Sequence, residues 1–409
     1  MNERLIDTYV SCVQDLWPDD PGPRLRRGRG SGRSRSTDDL ELLVLPNAQS
    51  PRILVPAGNP VAASRAMLRF SAALSAADTV KRLGVSALLR GRTYAPFQDR
   101  ISVEERAGSL KNYLGDVFGE PVDLSIGLGT ARANRKPVLQ VFDARGRSLA
   151  FVKMGVTPVT EELVQAEAAG LRRLGEAEVP PLFEVPRLLH LGRWEGRSVV
   201  AMTSVQTSFR QRPSRQYAVP VEEMTLLHGA FAESPRPLRE LPLWKSMLET
   251  QSALRTAVSR ERLGEALDVL RETDAERPVP VGAWHGDWTP WNMSRRRGRL
   301  QLWDWERFET GVPLGLDRCH YGVNAVCRRD GVSLASVMRG LELAGIGNDR
   351  SSENHAVGAT YLAVIASRYL AGAELELGDA IAAGITDRSQ IMLNALRAWL
   401  GLPASARHG

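Results

Sequence analysis

Residues 284–306 read WHGDWTPWNMSRRRGRLQLWDWE, and within them Asp287, Asn292 and Asp304 are the side chains whose types and spacing could carry chemistry. Asn292 follows Asp287 by five positions and Asp304 follows Asn292 by twelve, so two carboxylates and an amide stand on either side of one tight hairpin. Gly286 and Pro290 keep the first part in loop geometry. Leu300, Leu302 and Asp304 alternate along a short strand, which places this Asp on the buried face. A carboxylate left there unpaired would be costly. A divalent cation removes the difficulty, because Mg²⁺ takes oxygen ligands of this kind and keeps waters and phosphate oxygens in the rest of its shell.

A second constellation lies upstream. In the strand 149–154, LAFVKM, alternation puts Lys153 on one face with Leu149 and Phe151, where an ammonium needs an anion. In the helix that follows, Leu163, Glu167, Leu171 and Leu174 fall at helical spacings, so Glu167 lies on the apolar stripe and Glu162 lies off it. The two inward-facing groups are expected to pair and to hold the ammonium where phosphate oxygens can reach it. Between the first two strands of this region, Ser125-Ile126-Gly127-Leu128-Gly129 reads as a turn. Its backbone amides either cover phosphates or simply close a hairpin.

With H-G-D-W-T-P-W-N at 285–292, L-W-D-W-E at 302–306, and then Gly311, Pro313 and Asp317, the chain resembles the aminoglycoside phosphotransferase and choline kinase-like branch of the protein-kinase-like fold. Homoserine and methylthioribose kinases belong to the same branch. The resemblance spans residues 120–330, extends more loosely to the C-terminus, and does not reach the first hundred residues. It implies a phosphotransferase with an alcohol acceptor that uses ATP and Mg²⁺. Asp287 would orient and deprotonate the acceptor hydroxyl, Asn292 and Asp304 would hold the metal, and Lys153, fixed by Glu167, would bind the α and β phosphates. Gly127 and Gly129 would cover the nucleotide, although the third Gly of the usual pattern is missing.

Departures from the protein-kinase pattern narrow the acceptor. Asp304 is followed by Trp305-Glu306 rather than Phe-Gly, and no Ala-Pro-Glu lies before Asp317, so there is no room for a phosphorylated activation loop. A small-molecule acceptor is therefore expected rather than a protein. Glu306 and Glu309 could receive a polycationic aminoglycoside, but the tract Arg295, Arg296, Arg297 and Arg299 works against it and leans toward a neutral or anionic hydroxylated metabolite such as a sugar. An aminoglycoside-modifying resistance kinase remains an open alternative. So does a pseudokinase or scaffold acting through its N-terminal extension, although such a protein has no need of all five site residues.

The elements that must position these groups fall into an α+β, bilobal arrangement. Residues 1–105 read as a small α/β extension, with strands at 40–46 and 52–56 and a helix at 60–77. Residues 106–205 read as a strand-rich nucleotide lobe: a helix near 110–118, strands at 122–126, 138–142 and 149–154, a helix at 161–176, and strands at 187–191 and 198–203. Residues 206–409 read as a helical lobe carrying the catalytic loop. Five of the nine Trp lie between 284 and 305; core packing explains most of them, with Trp303 and Trp305 on one strand face. His285 reads as a structural partner of the loop.

The chain has 409 residues and a net charge of +6. Its six arginines between Arg24 and Arg35 account for that whole excess, so the remainder is neutral. Segment 24–36, all Arg, Gly and Ser apart from Leu25, reads as a flexible basic insert. No aromatic-interleaved motif accompanies it, so no nucleic-acid partner is expected. Cys12, Cys319 and Cys327 form neither a disulfide framework nor a zinc site. The first twenty residues lack a secretion signal, and the longest apolar stretch, near 356–367, falls short of a membrane span, so a cytoplasmic protein is expected.

Overall fold

Strand after strand of the N-terminal half is apolar on both faces, which is what a sheet covered on both sides requires. The computed structural model describes residues 16, 24–27, 40–69, 76–103, 108–128, 137–205, 218–349, 352–375 and 379–403. Internal packing divides the chain into two compact units. The first takes in residues 1–175, 184–213 and 294–306, and the second 176–183, 214–293 and 307–409.

The first unit is built on strands β1 (Arg24–Arg27), β2 (Leu40–Leu45), β3 (Ile53–Pro56), β4 (Asp99–Val103), β5 (Val122–Gly127), β6 (Val138–Asp143), β7 (Ser148–Met154), β8 (Phe183–Glu184), β9 (Leu188–Trp194) and β10 (Arg197–Met202). All but β8 form one nine-stranded sheet in the order β1-β4-β2-β3-β5-β6-β7-β10-β9. Helices α1 (Pro60–Arg69), α2 (Ala76–Arg90), α3 (Leu110–Phe118) and α4 (Pro158–Glu176) complete the unit. Leu42, Val44 and Leu54 join Leu124, Ile126 and Val141 in one core. On the other face Leu43, Leu45 and Val55 pack with Ala62, Ala63 and Ala66 of α1 and with Phe142.

The extension is therefore continuous with the strand-rich lobe. Antiparallel pairing of Ile53 with Gly127 and Leu54 with Ile126 joins them, and it covers the edge of β5, whose backbone groups would otherwise stand unpaired. The same logic corrects the basic insert. Its first part, Arg24–Arg27, is a strand paired with Arg27 opposite Asp99 and Arg24 opposite Ser102; residues 28–36 lie outside the described residues. The expected helix at 60–77 is present over Pro60–Arg69, with residues 70–75 outside the described residues, and the sequence reading missed both α2 and β4.

The second unit holds β11 (Glu233–Pro237), β12 (Pro278–Trp284) and β15 (Glu309–Pro313) in the order β11-β12-β15. Around them lie α5 (Val221–Gly229), α6 (Pro242–Ala253), α7 (Ala257–Thr273), α8 (Leu316–Asp330), α9 (Leu334–Leu343), α10 (Glu353–Leu375) and α11 (Asp379–Trp399). One apolar core runs through Trp284, Val312, Leu316, Tyr361, Ile365, Leu396 and Trp399. By length and composition α10 could cross a membrane, but 67% of its apolar stretch is buried in this core. The chain is thus α+β. Between residues 293 and 302, β13 (Met293–Arg296) and β14 (Arg299–Leu302) form a hairpin lying beside β8. Arg297 and Gly298, both at positive φ (50° and 79°), make its turn of the mirror type that suits strand twist, which puts the Arg tract at the hairpin tip as expected.

Candidate functional site

Lys153 lies in β7 opposite Val138 of β6 and Val200 of β10. Ala150, Val152 and Met154 alternate into the apolar core, which turns Lys153 to the opposite face. The helix that meets it, α4, starts at a reciprocal cap. Thr160 Oγ1 accepts from the amides of Val156 and Thr157, Thr157 Oγ1 accepts from Thr160 N, and Pro158 takes the first helical position. From that start the helical period brings Leu163, Glu167, Leu171 and Leu174 to a buried stripe.

Lys153 Nζ donates to Glu167 Oε1 at 2.6 Å and to Asp304 Oδ1 at 2.7 Å. Burial pulls the Lys153 pKa down, but the charges of Asp304 and Glu167 more than reverse this and hold the ammonium above the ordinary lysine range. Glu167 is fully buried. Its Oε1 also accepts the Trp305 amide at 3.3 Å, while Oε2 has no hydrogen-bond partner among the described residues. Glu306 adds a third carboxylate, with one oxygen each from Glu167, Asp304 and Glu306 lying within 4.8 Å of one another. Three carboxylates thus meet beside the Lys153 ammonium, a set of hard oxygens that fits Mg²⁺. The Lys153 ammonium is a point charge suited to phosphate oxygens.

In the second unit the loop after β12 is held mainly by hydrogen bonds. Asp317, in the first turn of α8, accepts from His285 N at 2.7 Å and from Gly286 N at 3.2 Å. Burial, aided by the nearby Asp287 charge, outweighs those two amides and the Arg368 charge and pushes the Asp317 carboxyl up to about 7. Gly286 has φ +75°, and a Cβ there would stand 2.0 Å from Arg307 O, so glycine alone fits. Arg368 Nη1 donates to Gly286 O at 3.0 Å while its guanidinium lies 4.7 Å over the Trp284 ring. Glu309 joins this brace, accepting from Arg368 at 3.4 Å and from Trp284 Nε1 at 3.2 Å.

These contacts aim Asp287. Asn292 Nδ2 donates to Asp287 O at 3.0 Å and to Asp287 Oδ2 at 2.8 Å, which turns Asn292 Oδ1, the atom a cation would use, away from that carboxylate. His320 Nε2 lies 3.0 Å from Asp287 Oδ1. His285 holds the loop from within: its Nδ1 accepts Asp287 N at 3.3 Å.

Three sequence expectations need correction. Asp304 does not continue a strand: β14 stops at Leu302, Asp304 takes the left-handed φ of 72°, and its side chain is 32% exposed. Alternation was carried past the point where the backbone turns, so Trp303 and Trp305 do not share a strand face either. Left-handed backbone at a non-glycine residue is strained and concentrates at functional sites. Gly127 lies at the end of β5, paired on both sides with Ile53 and Val138, rather than in a turn; the added strand β3 claims it. Gly129 lies outside the described residues. Sequence reasoning missed Glu306 as a member of the carboxylate cluster, and it missed Arg368 and His320. The signal for His320 was its place one helical turn after Asp317.

No protein-family model and no curated protein matches the chain. Solved structures similar to it include a thermostable mutant of aminoglycoside phosphotransferase APH(4)-Ia in ternary complex with ADP and hygromycin B, at 16% identity over 73% of this chain and 100% of that chain, TM-score 0.48. A choline/ethanolamine kinase family protein from Mesorhizobium loti is similar at 17% identity over 69% and 91%, TM-score 0.41. Amicoumacin kinase hAmiN, in complex with AMP-PNP, Ca²⁺ and Ami, is similar at 12% identity over 66% and 87%, TM-score 0.41.

Proposed function

We propose that the protein is a kinase that moves the γ-phosphate of ATP to a hydroxyl of a small molecule of the sugar or amino-sugar type. The observation that carries this reading is Lys153 held between Glu167 and Asp304, with Glu306 beside them. An ammonium buried against two carboxylates, with a third beside them, is a costly arrangement that a nucleotide with its cation would put to use. Lys153 binds phosphate oxygens, and Glu167 keeps its ammonium in place. Asp304 and Asn292 would hold the metal ion, with Glu306 as a further oxygen donor. When bound, Mg-ATP supplies the phosphoryl group and spreads its charge. Asp287, its carboxylate oriented by Asn292 and His320, accepts the proton of the acceptor hydroxyl as general base. The work of the chain is then positioning and charge neutralisation.

The test is ADP release and ³¹P NMR with Mg-ATP against a panel of sugars, amino sugars, aminoglycosides and amino alcohols. Acceptor-dependent ADP and a new phosphate-ester resonance are expected from the wild type. Asp287→Ala should lower turnover by about 10²–10⁴-fold and leave ATP binding intact. ADP release with no member of the panel, or wild-type turnover in Asp287→Ala, would refute the reading.

A further inference from the structure

His320 has no place in the roles inferred from sequence, yet it makes the closest polar contact to Asp287 from outside the loop. It sits on α8, buried, with Nε2 at 3.0 Å from Asp287 Oδ1. On its far side the Tyr361 hydroxyl of α10 lies 3.5 Å from His320 Nδ1, the two rings meeting edge to face at 6.0 Å and 73°. Asp287, Asn292, His320 and Tyr361 all belong to the second unit.

The chemistry of the partners sets the direction of both bonds. An ionised carboxylate accepts and cannot donate, so a neutral imidazole facing Asp287 carries its proton on Nε2 and leaves Nδ1 as an acceptor. Tyr361 can fill that acceptor only by donating. Burial raises its hydroxyl well above the ordinary tyrosine range, helped by the nearby Tyr369, Cys319 and Cys327 and opposed by Arg368, so it keeps its proton. With the imidazole neutral, the chain Tyr361 O–H to Nδ1, then Nε2–H to Asp287 Oδ1, runs one way. The titratable and charged groups around the pair are Asp317 and the two cysteines on α8, Asp287 on the loop, and Tyr361, Arg368 and Tyr369 on α10.

We propose that His320 is a positioning residue for the general base: its Nε2–H grips Oδ1 while Asn292 grips Oδ2, so that the Asp287 carboxylate is held from both oxygens, and Tyr361 fixes the tautomer that makes this possible. The proposal rests on the phosphotransferase reading above. Asn292 alone would leave the carboxylate free to turn about its single anchor. A base swung out of line by an ångström loses about 10²-fold in rate.

The test uses the full chain in two arms. In ADP release with Mg-ATP and a panel acceptor, His320→Phe, which keeps the ring and removes both nitrogens, should lower kcat by about 10–100-fold with the ATP KM within about twofold. His320→Gln, whose amide can still reach Oδ1, should recover most of that loss. If His320→Phe does not fold, Tyr361→Phe replaces it and should lower kcat by a smaller factor, about 3–10-fold. Wild-type kcat in His320→Phe, or equal impairment of folded Phe and Gln variants, would overturn the proposal. So would wild-type kcat in Tyr361→Phe. In the second arm, ¹⁵N NMR of the imidazoles, with His320 assigned from its variant, should show an Nε2–H tautomer whose Nε2 resonance shifts in Asp287→Ala. An Nδ1–H tautomer, or a spectrum indifferent to Asp287→Ala, would overturn it whatever the kinetics. Absence of any acceptor-dependent ADP release from the wild type would instead refute the phosphotransferase reading, with the ring tautomer still deciding the bond to Asp287.

Discussion

The two units assemble their reactive groups by opposite means. In the first, Lys153, Glu167, Asp304 and Glu306 bring formal charges of both signs together, and Asp304 sits in strained left-handed backbone. In the second, Asp287 is aimed by the amide of Asn292, the ring of His320 and a loop whose own amides are tied to Asp317. Under the proposed function the contrast follows from the tasks. Gripping a polyanion and its cation needs concentrated charge, which has to be paired when no ligand is there. Aiming a base needs direction more than charge, and hydrogen bonds carry direction.

If that contrast holds, substitutions in the two units should fail differently. Beside the rate loss expected for Asp287→Ala, the largest effect on stability should come from Lys153→Ala, which leaves fully buried Glu167 without its cation. A loss of about 3–5 kcal/mol is expected, read by chemical denaturation, together with weakened Mg-ATP binding by titration; unchanged values for both would break the comparison on the side of the first unit. Gly286→Ala comes next. Its Cβ would meet Arg307 O and its φ is positive, so a loss of about 1–3 kcal/mol is expected, and turnover should suffer more than nucleotide binding because the distortion falls on the loop that carries Asp287.

The smallest effect concerns pH. The Asp317 carboxyl is raised from 3.8 to about 7 in the folded protein, so between those values the folded state holds a proton that the unfolded chain has released. Its contribution to stability is complete below the lower value and is lost as pH rises through the upper one. Wild-type Tm should therefore decline relative to Asp317→Asn between about pH 4 and pH 7. Parallel Tm curves for the two proteins would show that Asp317 ionises without penalty and that the second unit, too, relies on paired charge.

Much of the site could be read in the sequence because it follows local periods. Helical spacing put Glu167 on the stripe that meets Lys153, strand alternation put Lys153 on one face with Leu149 and Phe151, and the Arg tract fell at the tip of the hairpin. Asp287 and Asn292 are five residues apart, and their contact is nearly local. The missed features are those where period gives way to long-range contact. Asp287 meets His320 across 33 residues, and Glu167 meets the Trp305 amide across 138. No periodicity in either segment encodes the other.

Composition and spacing by themselves determined an α+β chain with a Lys–Glu pair, an Asp–Asn loop and a basic segment that accounts for the net charge. Tertiary structure decided the rest. Residues 24–27 became an edge strand because β4 offered an unpaired row of backbone groups. The extension merged into the sheet of the strand-rich lobe because β5 offered another. Asp304 left its strand for a strained backbone, and Asp287 acquired the ring that holds it. Each outcome depends on which partners the folded chain brings within hydrogen-bonding distance, a property of the assembled backbone rather than of any one segment.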